Sequence, residues 1–394
     1  MNNMFEMKFI KFTEQSLKDI GFDLPYTNKA KEKHIFKTIK IYNLSCAQAN
    51  ILKQTAISCG TDCAVHREVI TGKIEKSDCI ISATINQFYK IAEKLKHQPL
   101  KLSLLAQEIE KALTLKLNII EYNGKKLDFQ NNQYLMGILN VTPDSFSDGG
   151  KYLSTDNAIK HYKEMKDDGA GIIDIGAEST RPYSTPTDIE EEIKRLMPVI
   201  TAIRKVDNKT ILSIDTRNSK TAQMALEIGA DIINDVSSFE WDNNMIKVIQ
   251  EYNCPVVLNH SYGRPEDMQN NIKDIDVVDD IYNYFKEKID YLESNGIDTT
   301  KIIIDPGIGF GKSREQNYQI ISRIDELKTL RRPILVGHSR KSFIKETIMS
   351  EDISELDTAT SMISEILMKK GINILRVHNV KIHNDLKKIT KSLF

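Results

Sequence analysis

From Tyr134 to the end of the chain, short apolar runs alternate with amphipathic stretches of helical length. Eight such runs occur, at Tyr134–Leu139, Ile172–Ile175, Ile211–Ile214, Ile232–Ile233, Pro255–Leu258, Lys301–Ile304, Pro333–Val336 and Ile372–Val377. Continuous apolar runs indicate strands that are buried on both faces, and their alternation with helices indicates a parallel sheet. The pattern therefore predicts eight strand–helix units.

The stretches between the runs predict helices with recognisable ends. They lie at about Asn157–Asp168, Ile189–Arg204, Ser219–Glu227, Asn243–Tyr252, Val277–Ser294, Arg314–Leu327, Thr358–Lys370 and Lys381–Ser392. Asp156 and Asp188 precede two of them as candidate N-caps, and Gly169 follows one as a C-terminal glycine. Residues 131–394 are 264 residues, which suits the roughly 250 residues of a (β/α)8 TIM barrel. An open doubly wound sheet is the alternative.

Nearly every apolar run ends in side chains that can take part in chemistry. In chain order these are Asn140, Asp174 with Glu178, Asp215, Asn234 with Asp235, Asn259 with His260, Asp305, Ser339 with Arg340 and Lys341, and Arg376 with His378. In a barrel the carboxyl ends of the strands meet at one mouth, where active sites are built. This placement favours the barrel over the open sheet.

Composition and charge limit the class of protein. The 394 residues include 54 Lys and Arg and 55 Asp and Glu, and 40% are hydrophobic. The near-zero net charge argues against a nucleic-acid or membrane-surface protein. Without a long apolar run or a recognisable signal peptide, we expect a cytoplasmic protein, and its five cysteines predict reduced thiols.

The charge is divided unequally along the chain. Residues 1–130 carry 20 basic and 14 acidic residues, a net +6, and the remainder carries 34 and 41, a net −7. We therefore predict a smaller N-terminal α/β domain over residues 1–130 and a barrel over residues 131–394. Strands are expected at Phe36–Tyr42 and Cys79–Ile81, and helices at Cys46–Ser58, Thr84–Lys96 and Leu102–Leu113. Cys46, Cys59, Cys63, Cys79 and His66 raise a zinc site as a weaker alternative to buried thiols.

The first strand of the barrel leads into a loop that combines oxygen ligands with glycines. Residues 136–150 contain Asn140, two aspartates, two serines and the pair Gly149-Gly150. Such a loop is suited to close over a hard cation or a phosphate, although an ordinary strand–helix turn has a similar composition.

This segment resembles the first signature of the dihydropteroate synthases, folate-pathway enzymes of the pterin-binding family. Further segments match the family's motifs in order, at Asp174–Pro182, Ile214–Thr216, Ile233–Val236, Asp305–Lys312, Gly337–Ser342 and Arg376–His378. The resemblance spans about residues 131–394. The segment Ala49–Gly72 resembles the N-terminal extension of long-form synthases, whose role the sequence does not give.

The resemblance implies an activity and its substrates. The family joins a hydroxymethyl-dihydropterin diphosphate to p-aminobenzoate, with release of pyrophosphate and with Mg²⁺ as cofactor. It also implies a homodimer and no nucleic-acid or membrane partner.

The resemblance assigns roles to matching residues of this chain. Pterin binding falls to Asp215, Asn234, Asp305 and Lys341; diphosphate binding falls to Arg181, Arg376 and His378; and the magnesium ligand is Asn140. The aniline pocket is assigned to Thr180, Phe310, Lys341 and Ser342, together with mobile loops at 142–149 and 178–186. The groups expected to act in catalysis are Asp215, Asp305, Lys341 and Arg376.

Three departures from the family's strings accompany these matches. The fifth strand ends in Leu258-Asn-His-Ser261, where Met residues usually flank the His, so the floor of the pterin pocket is expected to be more polar. His338 and Asn379 also differ from the usual residues. A pterin-binding methyltransferase and a catalytically silent pterin-binding protein are the alternative functions.

Overall fold

The computed structural model of the protein describes residues 8, 10, 12–114, 116–141, 151–177, 187–264, 268 and 272–393. Two compact units make up the chain, Met1–Leu115 and Lys116–Phe394. None of the helices in the described ranges is long and apolar enough to cross a membrane.

The N-terminal unit is built around a three-stranded antiparallel sheet. Its elements are α1 (Glu14–Asp19), a 3-10 turn (Leu24–Tyr26), α2 (Thr27–His34), β1 (Phe36–Ser45), α3 (Cys46–Ser58), β2 (Asp62–Val65), β3 (Lys76–Thr84), α4 (Ile85–Leu95) and α5 (Leu102–Leu113). The strand order is β1-β3-β2. Ser45, the last residue of β1, and Thr84, the last residue of β3, are the N-caps of α3 and α4, and each forms a capping box. These two strands therefore pass directly into helices.

The core of this unit lies between the sheet and the helices. Leu52, Ile81 and Phe88 are completely buried there. Helices α3 and α5 have the predicted bounds, whereas β2, α1 and α2 were not predicted. All five cysteines of the protein are free thiols, and no group of three or more His, Cys, Asp and Glu among the described residues is arranged to hold a metal ion.

The second unit alternates strands and helices as the sequence predicts. After a short hairpin, β4 (Ile120–Tyr122) and β5 (Lys125–Leu127), the elements are β6 (Tyr134–Asn140), α6 (Lys151–Asp167), β7 (Ile172–Gly176), α7 (Ile189–Val206), β8 (Ile211–Asp215), α8 (Ser219–Glu227), β9 (Ile232–Asp235), α9 (Met245–Tyr252), β10 (Val256–Asn259), α10 (Val277–Ser294), β11 (Ile302–Asp305), α11 (Arg314–Arg323), β12 (Leu335–Val336), α12 (Ser342–Ile348), α13 (Ile353–Lys369), β13 (Ile374–Val377) and α14 (Val380–Leu393). Two further 3-10 turns lie at Thr299–Lys301 and Ile324–Leu330. Every predicted apolar run overlaps a strand, while α12 was not predicted.

The eight strands from β6 to β13 form a closed parallel barrel. Neighbours in the sheet follow chain order from β6 to β11, and β13 pairs with both β12 and β6. A parallel bridge between Ile304 and Ile334 joins β11 to the residues just before β12. This bridge closes the ring, so the prediction of a TIM barrel is confirmed and the open sheet is excluded.

Side chains alternate strictly between the inside and the outside of the barrel. One apolar residue from each strand meets at the base of the interior: Met136, Ile172, Ile211, Ile232, Val257, Ile303, Leu335 and Ile374. The residues next to them in sequence, such as Ile173 and Leu212, belong to the separate core between the strands and the outer helices. Because strand side chains repeat every two residues, the positions two beyond the base layer must also point inward.

The β4–β5 hairpin covers the base of this interior layer. Ile120, Leu127 and Phe129 are buried in one cluster with the eight base residues. Lys125 donates to both carboxylate oxygens of Asp231 at 2.7 Å. The hairpin is thus packed as part of the barrel unit, and the structure divides the chain at 115/116, earlier than the predicted boundary of 130/131.

Candidate active site

A layer of mostly polar side chains lies directly above the apolar base of the barrel. Moving two residues along each strand gives Ile138, Asp174, Ser213, Asn234, Asn259, Asp305, Gly337 and Arg376. The next inward positions on the first three strands are Asn140, Gly176 and Asp215, which are neighbours in register. Four residues predicted for the site, Asn234, Asp305, Arg376 and Asp215, are therefore brought together at the mouth.

Arg376 links β13 to β7 and β8 through hydrogen bonds to two carboxylates. Its Nε donates to Oδ2 of Asp174 at 2.6 Å, and its Nη2 donates to Oδ2 of Asp215 at 2.8 Å. Asn234 donates to the same Asp174 oxygen at 3.2 Å. These carboxylates raise the pKa of Arg376 above its ordinary value against the opposing effect of burial. The guanidinium is therefore permanently charged and held in one orientation.

Asp174 was recognised in the sequence as a strand-end acid but was not assigned to the site. It is completely buried, and its Oδ1 atom has no hydrogen-bond partner among the described residues. Ser213, its neighbour in register on β8, also has an unpartnered hydroxyl within the described part of the chain. Asp174 and Ser213 each lie two residues after an inward-pointing apolar residue of the same strand. This two-residue spacing is the sequence signal that could have identified them as site residues.

Asp305 is the buried acid on the opposite side of the layer. One oxygen accepts a 2.8 Å hydrogen bond from the backbone N–H of Gly307. Burial raises the pKa of Asp305, while the charges of Lys341 and Arg376 act to lower it. Gly337 leaves the space between Asp305 and Arg376 open, since a Cβ there would lie 3.7 Å from Asp305 and 3.8 Å from Arg376.

Lys341 reaches across the mouth from the loop before α12. Its Nζ donates to the carbonyl of Ile308 and lies 4.4 Å from the centre of the Phe310 ring. Burial lowers the pKa of Lys341 to about 8, although the Asp305 carboxylate partly opposes that shift. Lys341 and Phe310, both predicted for the aniline pocket, are therefore in contact, and Ser342 follows as the first residue of α12.

A completely enclosed lysine fixes the loop that carries Phe310. Lys312 donates to three backbone carbonyls, those of His260, Gly307 and Phe310, at 2.9–3.0 Å. Gly307 has a φ of +67°, and a Cβ at this position would lie 1.9 Å from the carbonyl oxygen of His260. The glycines and the buried ammonium together allow the backbone to turn tightly beside Asp305.

His378 lies at the end of β13 next to Ser339. Its Nδ1 is 2.9 Å from the Ser339 hydroxyl, which also accepts from the His378 backbone N–H. His378 is half-buried at this position.

Several polar strand-end residues do not point into the mouth. Arg340 forms a bidentate pair with Asp357, which also accepts from the atypical Asn379. His338 is buried behind the mouth and lies 2.8 Å from the Ser364 hydroxyl. These departures from the family's strings serve packing outside the layer.

His260 likewise faces the outer helices rather than the interior. Its ring packs edge-on against Tyr262, Tyr284 and Phe285, and burial lowers its pKa to about 4. Of the two residues that replace the usual Met residues, Asn259 points inward, and the hydroxyl of Ser261 donates to the carbonyl of Gly263.

Some predicted site residues lie outside the described residues. They are Thr180 and Arg181, with the loops at 142–149 and 178–186. Asn140, the predicted magnesium ligand, is half-buried at the end of β6, where it pairs with Gly176.

Comparison with known proteins gives the class to which this barrel belongs. A family model described as "Pterin binding enzyme" matches residues 136–378, which include every strand of the barrel in part or whole. The chain therefore belongs to the family of pterin binding enzymes.

Within that family, the chain is similar to dihydropteroate synthases. The synthase of Clostridium beijerinckii is 42% identical over 273 residues, which cover 69% of this chain and 98% of that protein. The crystal structure of Xanthomonas albilineans dihydropteroate synthase with 4-aminobenzoic acid has a TM-score of 0.66 and 33% identity, over 71% of this chain and 98% of that one.

A longer protein is similar over more of the chain. The probable bifunctional folylpolyglutamate synthase/dihydropteroate synthase of Haloferax volcanii is 36% identical over 345 residues. The match covers 84% of this chain, which is more than the barrel unit alone, and 40% of that protein's length. This chain thus spans less than half of that protein's length.

Proposed function

We propose that this protein is a dihydropteroate synthase. It would join 6-hydroxymethyl-7,8-dihydropterin diphosphate to p-aminobenzoate, giving 7,8-dihydropteroate and pyrophosphate in folate biosynthesis. The observation that carries the proposal is the closed polar layer in which Arg376 lies between Asp174 and Asp215 and faces Asp305 across Gly337. This layer offers acceptors for a flat heterocycle and a fixed cation for a diphosphate.

The pterin would bind in the polar layer through its donor-rich edge. A pterin presents N–H groups and a carbonyl oxygen side by side, which calls for carboxylates and amides rather than for apolar area alone. Asp305 would accept hydrogen bonds from this edge, Asn234 would hold the neighbouring side of the ring, and Lys341 would donate to the carbonyl. The apolar base and the surrounding helices keep these groups fixed, so they need not reorganise when the ligand binds.

The reaction breaks the bond between the pterin methylene carbon and the diphosphate oxygen. The electron pair leaves with pyrophosphate, the aniline nitrogen forms the new C–N bond, and its proton passes to solvent. Arg376 and His378 would hold the leaving phosphate groups. Among the described residues, two of the five guanidinium N–H groups of Arg376 donate to carboxylates, which leaves three for the diphosphate. Asp215 and Asp305 would stabilise positive charge that develops on the pterin.

Mg²⁺ is proposed to act with the diphosphate, and Asn140 would hold it on the protein side. Mg²⁺ prefers oxygen ligands and usually keeps waters and substrate phosphates in its coordination shell, so a single amide oxygen at the mouth fits this pattern. When bound, the ion would neutralise charge on the leaving group.

The test is an assay of pyrophosphate release from the purified full chain. With pterin diphosphate, p-aminobenzoate and Mg²⁺ we expect stoichiometric pyrophosphate and dihydropteroate, and we expect loss of both when p-aminobenzoate is omitted or EDTA is added. Pterin binding without pyrophosphate release would overturn the proposal and favour a silent pterin-binding protein. Transfer of a methyl group from a methylpterin would instead favour a methyltransferase.

We further propose that the protein works in the cytoplasm as a homodimer through one exposed face of α13. On that face Met362 and Ile366 are 63% and 47% exposed. Met362 and Ile366 are four residues apart on α13 and therefore share one face. Clustered exposed apolar side chains are typical of protein–protein contacts.

Replacing Met362 and Ile366 together by Glu is expected to convert a dimer into a monomer, because two charges cannot be buried unpaired at the contact. Light scattering measures the mass, and circular dichroism checks the fold. Leu104→Glu, at an exposed position of the N-terminal unit, is the matched control and should leave the dimer intact. A monomeric wild-type chain would contradict the proposal.

A further inference from the structure

Asn259 occupies an inward position that none of the assigned roles uses. It ends β10, two residues after Val257 of the base layer, and it pairs in register with Asp305. Only 3% of its surface is exposed. A buried side-chain amide beside a buried carboxylate is costly unless its polar atoms find partners.

One hydrogen bond orients the side-chain amide, and a second holds the backbone of the same residue. Its Nδ2 donates to the carbonyl of Val236 at 3.2 Å, and its own backbone carbonyl accepts from the Ser238 hydroxyl at 2.8 Å. Both contacts come from the loop that follows β9. Because the N–H side is held by Val236, the oxygen Oδ1 must point the other way.

Asn259 Oδ1 and the Asp305 carboxylate both lie close to Gly307. A Cβ on Gly307 would be 3.0 Å from Asn259 Oδ1, and the N–H of the same Gly307 donates to Asp305 at 2.8 Å. Among the residues that the structure describes, Oδ1 accepts no hydrogen bond. Two acceptor groups from neighbouring strands, Asn259 Oδ1 and the Asp305 carboxylate, thus flank Gly307. Asn259 Oδ1 can still accept a hydrogen bond from a ligand.

A pterin has one donor more than a single carboxylate can accept. Its N3–H and its 2-amino group together present three N–H bonds on one edge of the ring. A carboxylate in the plane of the ring accepts two of them, one to each oxygen, and leaves the second N–H of the amino group.

We propose that Asn259 Oδ1 accepts this remaining N–H and makes the chain selective for an unsubstituted 2-amino group. This role rests on the proposed function, since it deepens the same pterin site. It follows from the position of Asn259 beside Asp305 and from the fixed direction of its amide. Replacement of one amino hydrogen by a methyl group would then remove the hydrogen bond and place the methyl against Oδ1.

The experiment measures binding of 6-hydroxymethylpterin and of its 2-methylamino analogue by calorimetry. The wild-type protein should bind the parent pterin at least about fivefold more tightly, as expected for one net hydrogen bond. Asn259→Leu should weaken binding of the parent pterin by about fivefold and leave binding of the analogue unchanged or improved, so that the preference disappears. Asn259→Met is a second variant in case the Leu variant does not fold.

Ser238→Gly is the matched control for a purely structural role. It removes the other contact that holds this strand end, keeps Oδ1, and suits the φ of +51° at this position. It should lower thermal stability but retain the preference for the parent pterin. Equal losses for both ligands in Asn259→Leu would overturn the inference, whereas failure of the wild-type protein to bind any pterin would overturn the proposed function itself.

Discussion

Replacing Arg376 by Lys is expected to give a folded protein that releases pyrophosphate about a hundredfold more slowly. The charge is kept, but a single ammonium cannot reproduce the planar fork that now reaches Asp174 at 2.6 Å and Asp215 at 2.8 Å. Loss of that fork also removes the fixed donors proposed for the diphosphate. Binding of pterin diphosphate should therefore weaken far more than binding of the free hydroxymethylpterin.

Arg376→Met removes both the charge and the planar fork, so its comparison with Arg376→Lys separates the effect of charge from that of geometry. It leaves two buried carboxylates without their cation, which should lower the free energy of unfolding by roughly 3–5 kcal/mol in addition to the loss of activity. Arg340→Lys is the matched control, because Arg340 forms a similar bidentate pair with Asp357 outside the polar layer. If Arg376→Lys weakens both pterin ligands equally, Arg376 does not bind the diphosphate.

Lys341 is expected to produce an alkaline limb in the pH profile of kcat/KM. Burial lowers the pKa of its ammonium to about 8, so above that pH the group loses the proton that it would donate to the pterin carbonyl. Lys341→Arg should move this limb to higher pH because a guanidinium stays charged, and Lys341→Met should lower activity about a hundredfold below about pH 8 and abolish the limb. Lys345→Arg, one turn along α12, is the control and should leave the limb in place.

The same shift predicts a change in stability with pH. The folded-state pKa of Lys341 lies below the ordinary value of 10.5, so between about pH 8 and pH 10.5 the unfolded chain binds more protons than the folded one. Lys341 therefore makes the free energy of unfolding rise with pH across this window. Chemical denaturation at several pH values should show a smaller rise for Lys341→Met; an unchanged pH dependence would show that the lysine has an ordinary pKa in the folded state.

The sequence predicted most of the barrel because each strand is a buried apolar run bounded by helices with clear ends. It also placed Asn234, Asp305 and Arg376 at the strand ends, where the structure brings them together. Asp174 was underrated because its partner Arg376 lies 202 residues away in the chain, and no local pattern reports such a pair. Direct contact across the barrel appears only once the ring closes.

The direction of each strand-end side chain was the harder problem. Asn259 and His260 are adjacent and both polar, yet one points inward and the other packs against Phe285 on the outer helix. Every second residue from Val257 points inward, which distinguishes Asn259 from His260. In a strand of only four residues, however, the sequence pattern determines the inward positions weakly. Lys312 was missed as a structural group since its partners are backbone carbonyls, which leave no sequence signature.

The hairpin at the base of the barrel also decides where this chain can be divided. A truncated protein that starts at residue 131 would lose Ile120, Leu127 and Phe129, and would open eight apolar side chains at the base to water. It would also lose the ion pair between Lys125 and the buried Asp231. A truncated protein or a fusion that begins at Lys116, where the second compact unit starts, would therefore keep the hairpin over the base of the barrel.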